Sequence, residues 1–341
     1  MANRIPEDDA ERKRRAEQRE KRERLTAHRG KATWGEKLVP LGDFRRASEE
    51  AGVRLSDAER TAARDGYLAE RTDPTPSEGP FERVAVFGGV YNNHRALAAL
   101  LEETASGFDG VYCLGDLGGF GPSPEKVWPL LAQGGVATIQ GNYEESLASG
   151  REDCNCGYTD PRDNHFATLS YDYTAAHCSP DFKAWMGELP KRRRVRLGDR
   201  ELLLVHGSPR RINEFLFASA SPLPFLEALL DQEGADGLLC THTGLPWHRR
   251  LPSGRDVVNV GVLGRPANDG ETTVRWAALE AAPNGGPLGV EIRHLAYDHA
   301  SLAAEMRREQ LPEEFVETIE TGWWTTCLEI LPAKERSASR Y

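Results

Sequence analysis

Four residues of metal-binding type each follow a short apolar run in this sequence of 341 residues. They are Asp116, Asn142, His206 and His242. Each run is typical of a buried strand, and ligands of α/β proteins gather outside the carboxyl ends of parallel strands. A carboxylate, an amide oxygen and two imidazoles suit a metal ion of hard or borderline character. The pattern therefore predicts that these four side chains meet at one edge of a sheet and bind a metal ion.

The same apolar runs define the elements that must position the four residues. Runs at 84–87, 111–114 and 136–140 alternate with helical patterns, which favours parallel strands joined by right-handed crossovers. The tripeptide at 198–200 separates two runs of β type and predicts a hairpin. Further strands are predicted at 237–240, 247–251, 256–260, 272–279 and 289–296, and closing helices at 298–309 and 312–321. The fold class is α/β, with a mixed sheet or two packed sheets.

Composition divides the chain into four parts. Residues 1–71 are rich in charge and poor in apolar positions, so we expect a charged N-terminal extension that is helical or disordered. This extension is either a solvated tail or an arm that binds RNA or a protein partner. Residues 72–80 are rich in proline and predict a linker. We expect the main domain at 81–297, with C-terminal helices and a tail packed on it at 298–341.

Charge, hydropathy and cysteine usage narrow the class of protein. Asp and Glu outnumber Lys and Arg by 53 to 43, and the net charge of −10 disfavours binding to nucleic acid. No run approaches the roughly 18 uncharged apolar residues of a membrane span, so we expect no membrane partner. With no export signal at the N-terminus, we expect a cytoplasmic location and cysteines that are free thiols or metal ligands. The six cysteines are at positions 113, 154, 156, 178, 240 and 327.

The order of the motifs on the predicted strand ends resembles that of the calcineurin-like metallophosphoesterases, especially their bacterial phosphodiesterase branch. The resemblance covers about residues 83–296. It rests on Cys-Leu-Gly-Asp at 113–116, Gly-Asn at 141–142, His-Gly-Ser-Pro at 206–209 and Asn-Val-Gly-Val at 259–262. It implies a sandwich of two packed mixed β-sheets flanked by helices, and a metal-dependent phosphoesterase activity.

Departures from the family pattern fall on one of its two metal sites. By the resemblance, the second metal is held by the four residues introduced above, and all four are present. The first metal is held at the positions of Gly89, Tyr91, Asp116 and Gly244. Three of these positions no longer carry the family's ligand. The resemblance therefore implies a single divalent or trivalent ion (Fe, Mn or Zn), and restoring the three lost ligands is expected to create a second site.

Three further residues are candidates for contact with the substrate, which by the resemblance is a small-molecule phosphate ester or a related anion. Tyr143 stands where the family has an acid-like histidine and could donate a hydrogen bond to a leaving oxygen. Tyr91 and Arg210 would also face the substrate, and an arginine can bind phosphate in a bidentate manner. Alternatively, a tyrosinate is a hard ligand suited to ferric iron, or the two tyrosines only fill the space of histidines.

Two other functions stay open. The chain could be a non-hydrolytic binding or regulatory protein on the same fold. It could also be a metal or thiol enzyme with altered chemistry, because Cys154 and Cys156 form a C-x-C pair that can chelate a soft metal. His94 could supply a replacement ligand. Trp323 and Trp324 are expected to pack in the core rather than to bind a cofactor.

Overall fold

Two mixed β-sheets pack face to face in the computed structural model, which describes residues 75–282 and 286–339. The strands of this part of the chain are β1 (Ser77–Phe81), β2 (Arg83–Phe87), β3 (Gly110–Cys113), β4 (Ala137–Thr138), β5 (Arg192–Leu197), β6 (Arg200–Val205), β7 (Gly237–Cys240), β8 (Trp247–Arg250), β9 (Asp256–Asn259), β10 (Val274–Glu280) and β11 (Gly289–Leu295). The six-stranded sheet has the order β1-β5-β6-β7-β9-β8, and the five-stranded sheet has the order β11-β10-β2-β3-β4.

Helices connect the strands and begin at residues that cap them. They are α1 (His94–Glu103), α2 (Val127–Gln133), α3 (Asn142–Ala148), α4 (Pro161–His177), α5 (Pro180–Glu188), α6 (Leu223–Glu233), α7 (His299–Arg308), α8 (Glu313–Thr321) and α9 (Ala333–Ser337). The Asn93 side chain accepts from the backbone N–H of Ala96 at the start of α1, and Ser179 accepts from Phe182 at the start of α5. No helix in the described ranges is both long and apolar enough to cross a membrane.

Strand pairing follows the local patterns of the sequence. β2, β3 and β4 pair in parallel, as the alternation of strands and helices predicts. β5 and β6 form the predicted antiparallel hairpin. β7 lies parallel to both β6 and β9. The prediction of an α/β fold with two packed mixed sheets and flanking helices is therefore confirmed.

The core consists of layers because successive strand residues point to opposite faces. Val86 of β2 and Leu204 of β6 belong to the buried cluster between the two sheets. Their chain neighbours point outward: Phe87 packs with Leu97 of α1, and Leu203 packs against α6. Burying an aliphatic side chain of this size contributes about 1.5–3 kcal/mol, so these layers fix the strand ends from which the loops emerge.

One stretch differs from the prediction of a linker at 72–80. Residues 77–80 belong to β1, which pairs in parallel with β5 as an edge strand. The Ser77 hydroxyl donates to Glu201, and Glu78 forms an ion pair with Arg193. Proline is tolerated on an edge strand because one side of such a strand makes no ladder hydrogen bonds. The predictions for residues 1–71 lie outside the described residues.

Candidate functional site

Asp116, Asn142, His206 and His242, here called the quartet, come together at one end of the two sheets. Asp116 follows β3 and Asn142 begins α3 after β4, so two of them come from the five-stranded sheet. His206 follows β6 and His242 follows β7, both in the six-stranded sheet. The site thus lies where both sheets end, rather than at the edge of a single sheet.

Glycine allows the loops that carry the quartet to approach one another. A Cβ at Gly141 would lie 2.5 Å from the backbone nitrogen of Asp116, and a Cβ at Gly88 would lie 2.2 Å from Thr241 Oγ1. Asp116 and His242 themselves have φ values of 56° and 63°. Such left-handed backbone is unfavourable for residues other than glycine and occurs where a site requires it.

His206 stands at the centre of the quartet. Its Nε2 lies 3.2 Å from Asp116 Oδ2, 3.1 Å from Asn142 Oδ1 and 3.1 Å from His242 Nδ1. All four side chains are buried. Of the His, Cys, Asp and Glu residues in the described ranges, Asp116, His206 and His242 are the group whose ligand atoms lie within 4.8 Å of one another.

Hydrogen bonds outside the quartet fix which atoms face inward. His206 Nδ1 lies 2.6 Å from the Leu114 carbonyl, so Nδ1 carries a proton and Nε2 faces inward, where it presents a lone pair whenever the imidazole is neutral. Asn142 Nδ2 donates to the Cys154 carbonyl at 2.8 Å, which turns Oδ1 inward. Two oxygen atoms and two imidazole nitrogens therefore converge at the centre, an arrangement that requires a positive charge between them, either a proton on His206 Nε2 or a metal ion. These donors fit a metal ion bound through oxygen and nitrogen.

The pKa values at the quartet reflect burial and the short distances between its members. Burial alone would raise the pKa of Asp116, but the charge and hydrogen bond of His206 outweigh it and hold that pKa below its ordinary value. Burial alone would lower the pKa of His206, but Asp116 raises it above the ordinary value. Burial, followed by the charge of His206, lowers the pKa of His242 to about 3. His242 is thus a neutral imidazole suited to ligation.

Glu144 binds the backbone of the loops that carry Asp116 and Asn142, and the sequence analysis did not select it. Its buried carboxylate accepts from the backbone N–H groups of Asp116 and Leu117 at 2.8 Å and of Gly141 at 2.7 Å. Burial, and then the charge of Asp116, raises the pKa of Glu144 to about 7. The signal in the sequence was a glutamate three residues after Gly141, the spacing of a helix capping box.

A cavity of about 50 Å³ lies beside the quartet, with Asp116 and His242 in its wall. Tyr91 and Tyr143 line it as well, so the structure brings two of the predicted substrate-facing residues to the site. The Tyr143 hydroxyl lies 3.0 Å from Ser170 Oγ. Burial raises the pKa of both phenols above their ordinary value, so in the absence of a metal ion both are protonated and can donate hydrogen bonds.

Arg210 and His94 lie elsewhere. Arg210 does not line the cavity; its guanidinium stands over the Phe225 ring and lies 3.5 Å from the Glu214 carboxylate. His94 begins α1, and its Nε2 lies 3.7 Å from Glu305. Arg210 instead lines a second cavity, of about 270 Å³, whose wall also contains His206, whereas His94 lines neither cavity.

The half of the site where ligands are missing is filled by other side chains. Gly89 has a φ of 44°, and a Cβ there would lie 2.5 Å from Val262 Cγ1. Gly244 has a φ of 76°, and its Cβ would lie 3.0 Å from the Trp324 ring and 3.4 Å from Arg265 Nη2. The space at both positions is occupied and the backbone suits glycine, so restoring the lost ligands would require neighbouring side chains to move.

Cys154 and Cys156 are joined by a disulfide bond, contrary to the expectation of free thiols or metal ligands. Cys113, Cys178, Cys240 and Cys327 are free and buried. In this state the C-x-C pair offers no thiolate to a soft metal. Trp324 is buried and its Nε1 donates to the Pro266 carbonyl, as expected of a packing residue.

The remaining wall of the cavity comes from residues that the sequence analysis did not select. Arg265 follows the Asn-Val-Gly-Val motif by three positions, and an arginine close to a site motif was the available signal. Phe315 of α8 and Cys327 come from the C-terminal part of the chain. Nothing in their local sequence shows that this part folds over the cavity.

Comparisons with known proteins agree with the fold. A crystal structure of a metallophosphoesterase from Sphaerobacter thermophilus matches with a TM-score of 0.55 and 23% identity, covering 71% of this chain and 99% of that one. A hypothetical protein from Pyrococcus horikoshii matches with a TM-score of 0.58, with the same identity and coverage. An uncharacterized protein from Methanocaldococcus jannaschii is 19% identical over 257 residues, 70% of this chain and 98% of that protein.

The family model of the calcineurin-like phosphoesterase superfamily domain matches residues 83–281, which is more than half of the chain. That range contains all four members of the quartet and ends before the C-terminal segment that closes the cavity. The chain belongs to the calcineurin-like phosphoesterase superfamily.

Proposed function

We propose that this chain is a metal-dependent phosphoesterase that holds one divalent or trivalent ion on the quartet and hydrolyses a small phosphate ester in the adjoining cavity. The observation that carries the proposal is the convergence of lone pairs on one point, with His206 Nε2 within 3.2 Å of atoms from the other three side chains. The family model supports the phosphate ester as the substrate class.

A bound ion would supply Lewis-acid chemistry, since it neutralises charge on a phosphoryl oxygen and makes a water molecule more acidic. The chain's own contribution is to hold the ligands in one orientation. Asp116 Oδ1 accepts from the Tyr143 backbone N–H at 3.2 Å, which leaves Oδ2 directed toward His206. The Leu114 carbonyl keeps the His206 proton on Nδ1. These contacts stabilise the ligands in place before the ion arrives.

The substrate would place its phosphoryl group in the cavity next to Asp116 and His242. Tyr91 and Tyr143 remain protonated there, so each acts as a hydrogen-bond donor or as part of the wall rather than as a base. A single ion lacks the second charge clamp of a two-metal site. Loss of one such electrostatic group costs on the order of 100–1000-fold in rate, so we expect slow turnover of generic phosphate esters.

The test is phosphate release from a panel of phosphate monoesters and diesters, measured on chelator-treated protein before and after addition of Mn²⁺, Zn²⁺ or Fe²⁺. We expect slow turnover that requires the metal and is lost in His206→Gln. His248→Gln is the matched control, because His248 is hydrogen-bonded to Asp256 away from the cavity. A metal-loaded protein that releases no phosphate from any ester above the metal-free rate would contradict the proposal and favour a non-hydrolytic binding protein.

A further inference from the structure

Arg265 is the feature of the cavity that the metal site does not explain. The residue is only 5% exposed, and it lines the cavity together with Asp116 and His242. A guanidinium group stays charged at neutral pH, so a full positive charge is buried beside the quartet. A buried charge is costly unless an opposite charge or several hydrogen bonds compensate it.

Among the described residues, Arg265 forms no ion pair, and its Nε has no hydrogen-bond partner. Its polar neighbours are the Cys327 side chain and the phenols of Tyr91 and Tyr158. Burial raises the pKa of both phenols, so they are neutral. Arg275 is the informative comparison: it is equally buried, at 3% exposure, and is paired with two carboxylates. Arg265 therefore lacks the anion that the other buried arginine has.

Aromatic rings hold the guanidinium in position. Its central carbon lies 3.5 Å from the centre of the Trp324 ring, 5.7 Å from that of Phe120 and 5.9 Å from that of Tyr91. Contact with ring faces stabilises a cation without using its N–H groups. The edges of the guanidinium thus remain available for a ligand in the cavity.

The position of the charge is also informative. Arg265 Nη2 lies 3.4 Å from the point that a Cβ at Gly244 would occupy. Gly244 is one of the positions where a ligand of the family's first metal is missing. A fixed positive charge of the protein therefore lies in the half of the site that has lost its metal ligands.

We propose that Arg265 binds the anionic group of the substrate, and that this group is a phosphate-class oxyanion held between the guanidinium and the ion on the quartet. The inference rests on the proposed function for the ion, whereas the arginine's part in it can be tested separately. A planar guanidinium matches the oxygens of such an anion in a bidentate manner.

The experiment is calorimetric titration of inorganic phosphate into Mn²⁺-loaded protein, with metal content measured on every sample. Arg265→Met removes the charge while retaining apolar contact with Trp324, and Arg265→Lys retains the charge without the bidentate geometry. We expect phosphate affinity to fall on the order of 10- to 100-fold in Arg265→Met and by less in Arg265→Lys, with metal content unchanged. Arg249→Met is the matched control, because Arg249 stands over Trp247 away from the cavity. It should bind phosphate like the native protein.

The outcomes separate this inference from the proposed function. Phosphate affinity in folded, metal-loaded Arg265→Met within twofold of the native value would overturn the inference, as would a native protein that binds no phosphate at millimolar concentration. If Arg265→Met does not fold, the phosphate affinity of Arg265→Lys is compared with that of the native protein. Equal affinities would also overturn the inference. Phosphate binding that depends on Arg265, in a protein that hydrolyses no ester, would contradict the proposed function and leave the inference standing.

Discussion

Two buried polar clusters in this molecule are built in opposite ways. In the first, the Glu305 carboxylate of α7 lies among donors and cations. Lys126 Nζ lies at 2.6 Å, Ser123 Oγ at 2.7 Å, Arg95 at 3.4 Å and His94 at 3.7 Å. The Glu305 carboxylate of this cluster thus finds positive charge and hydrogen-bond donors within the chain. It joins α7 to α1 and to the turn before α2, and it requires no ligand.

The second cluster is the cavity with its quartet, in which atoms that could bind a metal ion face one another. Lone pairs of Asp116, Asn142 and His206 point at one another, while Arg265 lies in the wall without a carboxylate partner among the described residues. The chain thus leaves a position for a cation and a position for an anion, side by side. A cluster that balances itself stabilises the fold, and a cluster that does not is organised for ligands.

The largest effect is expected at Asp116, the carboxylate of the quartet. Asp116→Asn keeps the shape of the side chain but removes the negative charge that faces the ion, so metal content should fall from one ion per chain to none. Turnover should fall on the order of 100–1000-fold or more. Metal analysis and phosphate release check both.

Asp256→Asn is the control for this change, because Asp256 is also buried but is paired with His248 and Arg250. It should keep its metal. An Asp116→Asn protein that retains a full ion would show that the quartet does not bind it.

The second test asks whether the half of the site around Gly89 and Gly244 can be made to bind a metal ion. The combined variant Gly89→Asp, Tyr91→His, Gly244→His restores the family's ligands, yet we expect it to bind one ion and to unfold at a lower temperature. A Cβ at Gly89 would press on Val262, and one at Gly244 would lie beside Arg265. Metal analysis and thermal unfolding measure the two effects. Two ions per chain would show that the lost half can still be rebuilt.

The cluster around Glu305 should make the free energy of unfolding depend on pH. Burial alone would raise the pKa of Glu305, but hydrogen bonds from Lys126 and Ser123 and the charge of His94 lower it to about 2. Because the folded pKa lies below the unfolded value near 4.5, the stabilisation is complete above pH 4.5 and is lost as the pH falls toward 2. It is about 2–3 kcal/mol at neutral pH.

Urea unfolding of native protein and Glu305→Gln at several pH values isolates this contribution. The difference in unfolding free energy between the two proteins should be largest near neutral pH and should shrink below pH 4.5. A difference that stays constant down to pH 2 would show that the carboxylate charge contributes nothing.

The smallest effect is expected at Tyr143. Its hydroxyl bonds with Ser170, and burial keeps it protonated, so Tyr143→Phe should remove one hydrogen bond and lower turnover by about 2- to 10-fold. Tyr171→Phe is the matched control, since the Tyr171 ring packs 5.8 Å from that of Tyr143 and its hydroxyl donates to the Arg151 carbonyl. A loss above 100-fold in Tyr143→Phe alone would identify Tyr143 as a proton donor to the leaving group.

The sequence predicted the quartet because its signal is local. His206 and His242 each stand directly after a buried strand, and an apolar run of four or five residues is enough to find such a strand. β1 was missed for the opposite reason. Glu201 and Arg193, which bind its side chains, lie more than a hundred positions away, while Pro80 and the prolines just before the strand are typical of a linker.

Arg265 could not be selected from the sequence, because its significance lies in what surrounds it. The absence of a carboxylate partner and the contact with Trp324 depend on a C-terminal segment that returns to the cavity. The same holds for the space beside Gly89 and Gly244. A glycine in the sequence shows that a ligand is missing, but it does not show that Val262 and Arg265 have taken its place.

We expect this chain to bind one metal ion, on the quartet, beside a fixed arginine. The test is the metal content of native protein after removal of metal by chelator and reconstitution with excess Mn²⁺ or Zn²⁺, measured by mass spectrometry against protein concentration. The expected result is one ion per chain. Two ions per chain would contradict it, and would mean that the half of the site around Arg265 binds a metal rather than an anion.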